Sequence, residues 1–336
     1  MSATAPPVPR LHIVTGKGGT GKTTVAAALA LALAGTGRRV LLAEAEGRQG
    51  IAPLFDAPPL PYAERHLTAG LDGGEVFGQA VDADEALLDY LTMFYKLGSA
   101  GRALRRFGAI DFATTIAPGL RDILLTGKLK EAVSRTEAGR MAYDAVVLDA
   151  PPTGRIVKFL NVTVESGRLA KTGPIGKHSR SVSRLLHSSL TAVHLVTTPA
   201  AMPVQETVDA HRDLLAADLP VGHVILNKVA GTETADVTAE QLREGLRRTG
   251  LPEDGELAAA LLEEYEMNRV EIEAVDSYRS RLERLRRPVD ELALLPEGVD
   301  LSGLYQLAGA LRESLGETRR QAAAPGDDSE GDDRGE

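Results

Sequence analysis

The chain has 336 residues, 43% hydrophobic and 25% charged, with a formal net charge of −9, an ordinary globular composition for one large α/β domain or two domains. Cysteine is absent, which excludes disulfides and thiolate metal sites and fits a reducing, cytoplasmic compartment. Basic residues form only small groups such as Arg105-Arg106 and Arg286-Arg287, so the concentrated basic face of a nucleic-acid binder is not expected.

In chain order, residues 1–10 form a Pro/Ala segment, expected to be flexible and without a charged-then-apolar signal pattern. Leu11–Thr15 reads as a strand, and Lys22–Ala34 as a helix. Its apolar run Val25 to Ala34 is far short of the roughly 20 residues of a membrane span, so a buried helix is expected. Further strands are expected at Arg39–Ala43, Asp144–Leu148, Ala192–Thr197 and His223–Leu226. Their apolar residues are consecutive, as in strands covered on both faces. Between the second and third strands lie about a hundred residues, roughly 49–141, far longer than an ordinary crossover. Leu87, Leu91 and Phe94 at i, i+4, i+7, and the apolar set Leu120, Ile123 and Leu124, predict an inserted helical subdomain there. Helices follow at Gln205–Ala217, Glu256–Leu285 and Leu301–Leu315. Residues 318–336 end in an acidic run without apolar side chains, which predicts a disordered tail. Strands alternating with helices over 11–317 predict an α/β fold with a doubly wound, mainly parallel sheet. The seven histidines (12, 66, 178, 187, 194, 211, 223) lack the clustered spacing of zinc ligands.

Gly16-x-x-x-x-Gly21-Lys22-Thr23 follows the first strand and opens the first helix, the context that a phosphate-binding loop requires. Gly16, Gly18, Gly19 and Gly21, with Thr20, let successive backbone N–H groups face phosphates at a helix N-terminus. Lys22 is placed to reach β- and γ-phosphates, the Thr23 hydroxyl to ligate Mg²⁺, and Thr24 to donate to an α-phosphate. Val146-Val147-Leu148-Asp149 is an apolar strand ending in a carboxylate. Asp149 would hold Mg²⁺ directly or through water.

Lys17, a second lysine directly after the first glycine, makes this loop resemble the deviant Walker A of the ATPase class containing MinD/ParA, nitrogenase-iron-protein and ArsA-like members. Ala150-Pro151-Pro152-Thr153-Gly154-Arg155 resembles the switch II motif of the arsenite-pump and tail-anchored-protein-targeting ATPases. Thr197-Thr198-Pro199, Met202 to Thr207 and Ile225-Leu226-Asn227-Lys228 are also similar to that family. The resemblance runs from about Leu11 to Leu315. It looks closest to the actinobacterial ArsA-like ATPases, which often come as two dissimilar paired subunits.

The resemblance implies an ATP-hydrolysing P-loop NTPase that works as a homodimer or as a heterodimer with a related subunit, and binds a protein client. It assigns Lys17 to the partner's nucleotide, and Asn227 and Pro296 to the adenine side. It places Glu46 at the switch I position that orients the attacking water, with Glu44 as the alternative. Three departures are visible. Glu46 stands where the family has aspartate. The cysteine pair that holds zinc between subunits cannot exist, nor can arsenite activation through cysteine ligands. Methionines number only five, against the Met-rich client groove of targeting ATPases. The alternatives are a catalytically weak nucleotide-binding subunit and a positioning ATPase on DNA or membrane.

Overall fold

The structure, a computed structural model, describes residues 8–35, 37–45, 49–95, 120–161, 174–230, 238–252 and 256–323. The element order is β1 (Leu11–Gly16), α1 (Lys22–Leu33), β2 (Arg39–Ala45), a 3₁₀ turn (Ala52–Phe55), β3 (Arg65–Ala69), β4 (Glu75–Val81) and α2 (Ala83–Tyr95). Then come α3 (Leu120–Ser134), the hairpin β5 (Thr136–Glu137) and β6 (Arg140–Met141), β7 (Ala145–Asp149), α4 (Thr153–Leu160), α5 (Pro174–Leu186) and β8 (Thr191–Thr197). The chain continues through α6 (Ala201–Ala216), β9 (Val221–Val229), α7 (Ala239–Arg248), α8 (Glu256–Glu283), β10 (Val289–Ala293) and α9 (Leu301–Ala323).

Eight strands form one sheet in the order β10-β9-β8-β1-β7-β2-β4-β3. Every pairing in it is parallel except that of β3 with β4. This is the mainly parallel α/β sheet that the strand–helix alternation predicts. Along β1, Leu11 and Ile13 enter one core cluster and Val14 the other. Leu41 and Ala43 on β2 likewise oppose Val40 and Leu42, so both faces are covered by helices. Helix α1 is central. Val25 to Leu33 are all buried, so the helix is apolar on every side and begins directly at the loop after β1.

Two regions differ from the sequence expectation. The segment expected as a helical insertion begins as sheet, since β3 and β4 extend the edge beyond β2. Its helical part is α2 and α3, where Leu87 is buried with Leu124. The side chains at 91, 94 and 120 lie outside the described residues. Helix α9 also continues to Ala323, past the expected boundary at 317; no proline stands in the chain between Leu301 and Pro325 to end it earlier. At the other end, the Arg10 N–H already donates to the Leu190 carbonyl at 2.8 Å. No helix among the described residues is long and apolar enough to cross a membrane.

Candidate functional site

The carboxyl ends of β1, β7 and β2 meet around a cavity of about 310 Å³ lined by Gly18, Gly19, Gly21, Lys22, Thr23, Ala45, Asp149 and Ala150. In an open parallel sheet this edge is where ligands bind. The loop gets its shape from left-handed glycines: Gly19 and Gly21 both have φ +87°. Gly16 packs so tightly that a Cβ would overlap the Val196 carbonyl, and one on Gly21 would overlap Asn227 Nδ2. Gly18 and Gly19 have open space where a Cβ would stand, which leaves their backbone accessible to a ligand. Gly21 caps α1 without any side-chain acceptor, so the helix's first N–H groups are left for an anion.

Thr23 Oγ1 donates to Asp149 Oδ2 at 2.6 Å. Asp149 lies beside Glu44 in the β2–β7 register, and Glu44 Oε1 accepts the Gly50 N–H at 2.6 Å. A Cβ on Gly50 would stand 3.3 Å from Thr23 Cγ2 and 3.4 Å from Glu44 Oε1, so the threonine and both carboxylates share one corner. This all-oxygen donor set suits a hard divalent cation such as Mg²⁺. Among the described residues, no group of three His, Asp or Glu side chains could hold a metal alone. Phosphate oxygens would have to complete the shell.

The two lysines of the loop face differently. Lys22 is 8% exposed, and its Nζ donates to the Lys17 carbonyl at 3.2 Å. Lys17 does not line the cavity; its Nζ lies 3.3 Å from Glu206 Oε2 on α6. Thr20 holds the loop through its hydroxyl to the Lys17 carbonyl at 2.8 Å, and Thr24 is half-buried in the first turn of α1.

Asn227 is buried at the end of β9, and its amide donates to the Thr20 carbonyl at 2.8 Å, beneath the loop. Pro296 is exposed in the segment after β10 and does not line the cavity. Glu46 lies outside the described residues, flanked by Glu44 and Gly50. Contacts missed in the sequence are Lys228 Nζ to the Gly19 carbonyl at 3.0 Å, Thr15 Oγ1 to the Pro151 carbonyl at 2.7 Å, and the bond from Thr153 Oγ1 to Glu206. Each joins segments far apart in the chain, so local spacing carries no signal of them.

Residues 10–188 match the family model described as anion-transporting ATPase. The chain is 50% identical over 315 residues to an ATPase of Mycobacterium tuberculosis named BagA, covering 90% of this chain and 93% of that protein. It is also 25% identical over 330 residues to the arsenical pump-driving ATPase of Acidiphilium multivorum, covering 88% of this chain and 54% of that protein. Taken with the mainly parallel sheet and the glycine loop at its edge, these matches place the chain in the ArsA-like anion-transporting ATPase family, as an enzyme that hydrolyses ATP.

Proposed function

We propose that the chain is a Mg-ATP-driven switch that closes as a dimer of identical copies, with its assembly state controlling a protein client. The observation that carries the site assignment is the Thr23–Asp149 contact at 2.6 Å, at the mouth of a glycine cradle that opens α1. In this reading the loop N–H groups and Lys22 bind the β- and γ-phosphates. Thr23 and Asp149 hold the cation, with Glu44 beside them. A magnesium ion bound there adds positive charge against the phosphate oxygens.

Water attacks the γ-phosphorus, the bond to the β,γ-bridging oxygen breaks, and ADP and phosphate leave. Glu46 orients that water. The Glu44–Gly50 bond supports this role, because it holds the described residues on either side of 46–48 close to Thr23. Asn227, by bonding the loop carbonyl, holds the base-side wall. Lys17, outside the cradle and one third exposed, is available to a neighbouring copy. One chain therefore supplies both a complete cradle and a cation for another. A two-fold pairing of identical copies completes both sites at once.

Single-turnover hydrolysis tests the assignment. Glu46→Gln should bind Mg-ATP normally and hydrolyse it at least about 10²-fold more slowly, the scale on which a positioned acid–base group contributes. Normal turnover by Glu46→Gln with slow turnover by Glu44→Gln would move the role to Glu44. Normal turnover by both would overturn the reading.

A further inference from the structure

We infer that Glu206 is a positioning residue that holds Lys17 within its own subunit and so opposes its transfer to a second copy. The inference rests on the reading that Lys17 serves a second copy. One carboxylate has two partners from opposite sides of the site. Its Oε2 lies 3.3 Å from Lys17 Nζ on the loop, and its Oε1 accepts the hydroxyl of Thr153. Thr153 is buried and begins α4, four positions beyond Asp149. The intervening backbone is fastened to β1, because the Ala150 N–H donates to the Val14 carbonyl at 3.0 Å and Thr15 Oγ1 to the Pro151 carbonyl. Glu206 is therefore tied, through Thr153, to the fixed segment that follows Asp149.

Lys17 and Glu206 are each about one third exposed, which sets the strength of the restraint. Ion pairs of that exposure are weak and screened by salt. Such a pair biases where Lys17 resides without preventing it from leaving. Because Lys17 cannot serve Glu206 and a neighbour's phosphate at once, the pair competes with assembly. Each pair is worth about two- to fivefold, and a two-fold dimer breaks two of them, so their loss should favour the dimer by about four- to twenty-five-fold.

The test is sedimentation of the full chain with Mg²⁺ and a non-hydrolysable ATP analogue, over a range of protein concentrations. Glu206→Gln keeps the shape and an acceptor for Thr153 but loses the charge. Its assembly midpoint should fall about four- to twenty-five-fold below wild type, while its Mg-ADP affinity stays unchanged and its ligand-free melting temperature stays within about 2 °C. Those two controls exclude a merely structural effect. Amine-reagent labelling of Lys17 in the ligand-free monomer, which reports a single pair, should rise about two- to fivefold. In parallel, Lys17→Ala should fail to assemble. If it assembles like wild type, the reading of Lys17 in trans fails. If it fails to assemble while Glu206→Gln leaves both midpoint and labelling unchanged, the restraint alone is overturned.

Discussion

Glu44 and Asp149 are register partners on β2 and β7, so two carboxylates of 1% and 8% exposure stand side by side beneath the Thr23 hydroxyl. Neighbouring buried anions repel one another unless donors or a cation offset them. The Gly50 N–H and the Thr23 hydroxyl supply part of that compensation. A divalent cation would supply much more, and this is the physical case for Mg²⁺ at this corner.

Asp149→Asn should therefore weaken ADP binding in the presence of Mg²⁺ by about tenfold, equivalent to one charge-assisted contact of roughly 1.5 kcal/mol. Affinity for ADP without metal should change less than about threefold, because the glycine cradle is untouched. Calorimetric titrations with and without Mg²⁺ check this. An unchanged metal dependence would remove Asp149 from the site.

The loop glycines should not be equivalent. Gly21→Ala forces a Cβ into a left-handed backbone, at roughly 1–2 kcal/mol, and also against Asn227 Nδ2. It should break the Asn227–Thr20 bond and lower the urea midpoint clearly. Gly18→Ala meets open space at an ordinary backbone conformation, so its stability should stay within about 0.5 kcal/mol of wild type. Equal losses in the two variants would contradict the described loop geometry.

How legible all this was depends on how local the cause is. Gly16 to Thr24 could be read directly because phosphate binding demands glycines and a helix start at fixed spacing. The central strands β1, β2, β7, β8 and β9 announced themselves as apolar runs, since both faces are covered. Strands β3 and β10 did not. They lie at the two sheet edges, are only half-buried, and carry Arg65 and Asp290. The site's long-range contacts, such as Thr15 to Pro151 and Lys17 to Glu206, depend on strand order and on α6 packing, which residue spacing does not encode.

The histidines gave no sequence signal either, yet three of them meet in the core. His194 Nδ1 accepts the backbone N–H of His223 at 3.2 Å, so its proton sits on Nε2 and points to His12 Nδ1 at 3.0 Å. His12 Nε2 in turn donates to the Pro9 carbonyl at 3.2 Å. The His12–His194 pair is satisfied only when neutral. Burial, with His12 and His223 nearby, pushes the His194 pKa well down. Below about pH 6.5 the unfolded chain takes up a proton that folded His194 refuses. The stability from this group is thus present above that pH and lost as pH falls, at up to about 1.4 kcal/mol per pH unit. Burial also lowers the pKa values of His178 and His211, adding slope of the same sign. Urea unfolding between pH 8 and 5 should show falling stability. His194→Leu should be weaker at pH 8 but flatter with pH, and a wild-type curve level across this range would contradict the neutral chain.

The measurement that bears most directly on the account is phosphate release by mixtures of two inactive variants. On the proposed mechanism, Lys22→Ala lacks the cation for its own β- and γ-phosphates, and Lys17→Ala lacks the one offered to a neighbour. Each variant alone should hydrolyse ATP at background rates. In a mixed dimer, one site keeps its own Lys22 and receives Lys17 from the other copy, so mixing should restore activity that rises with protein concentration. A mixture no more active than its parts, together with Lys17→Ala turning over like wild type at a rate independent of concentration, would contradict the account.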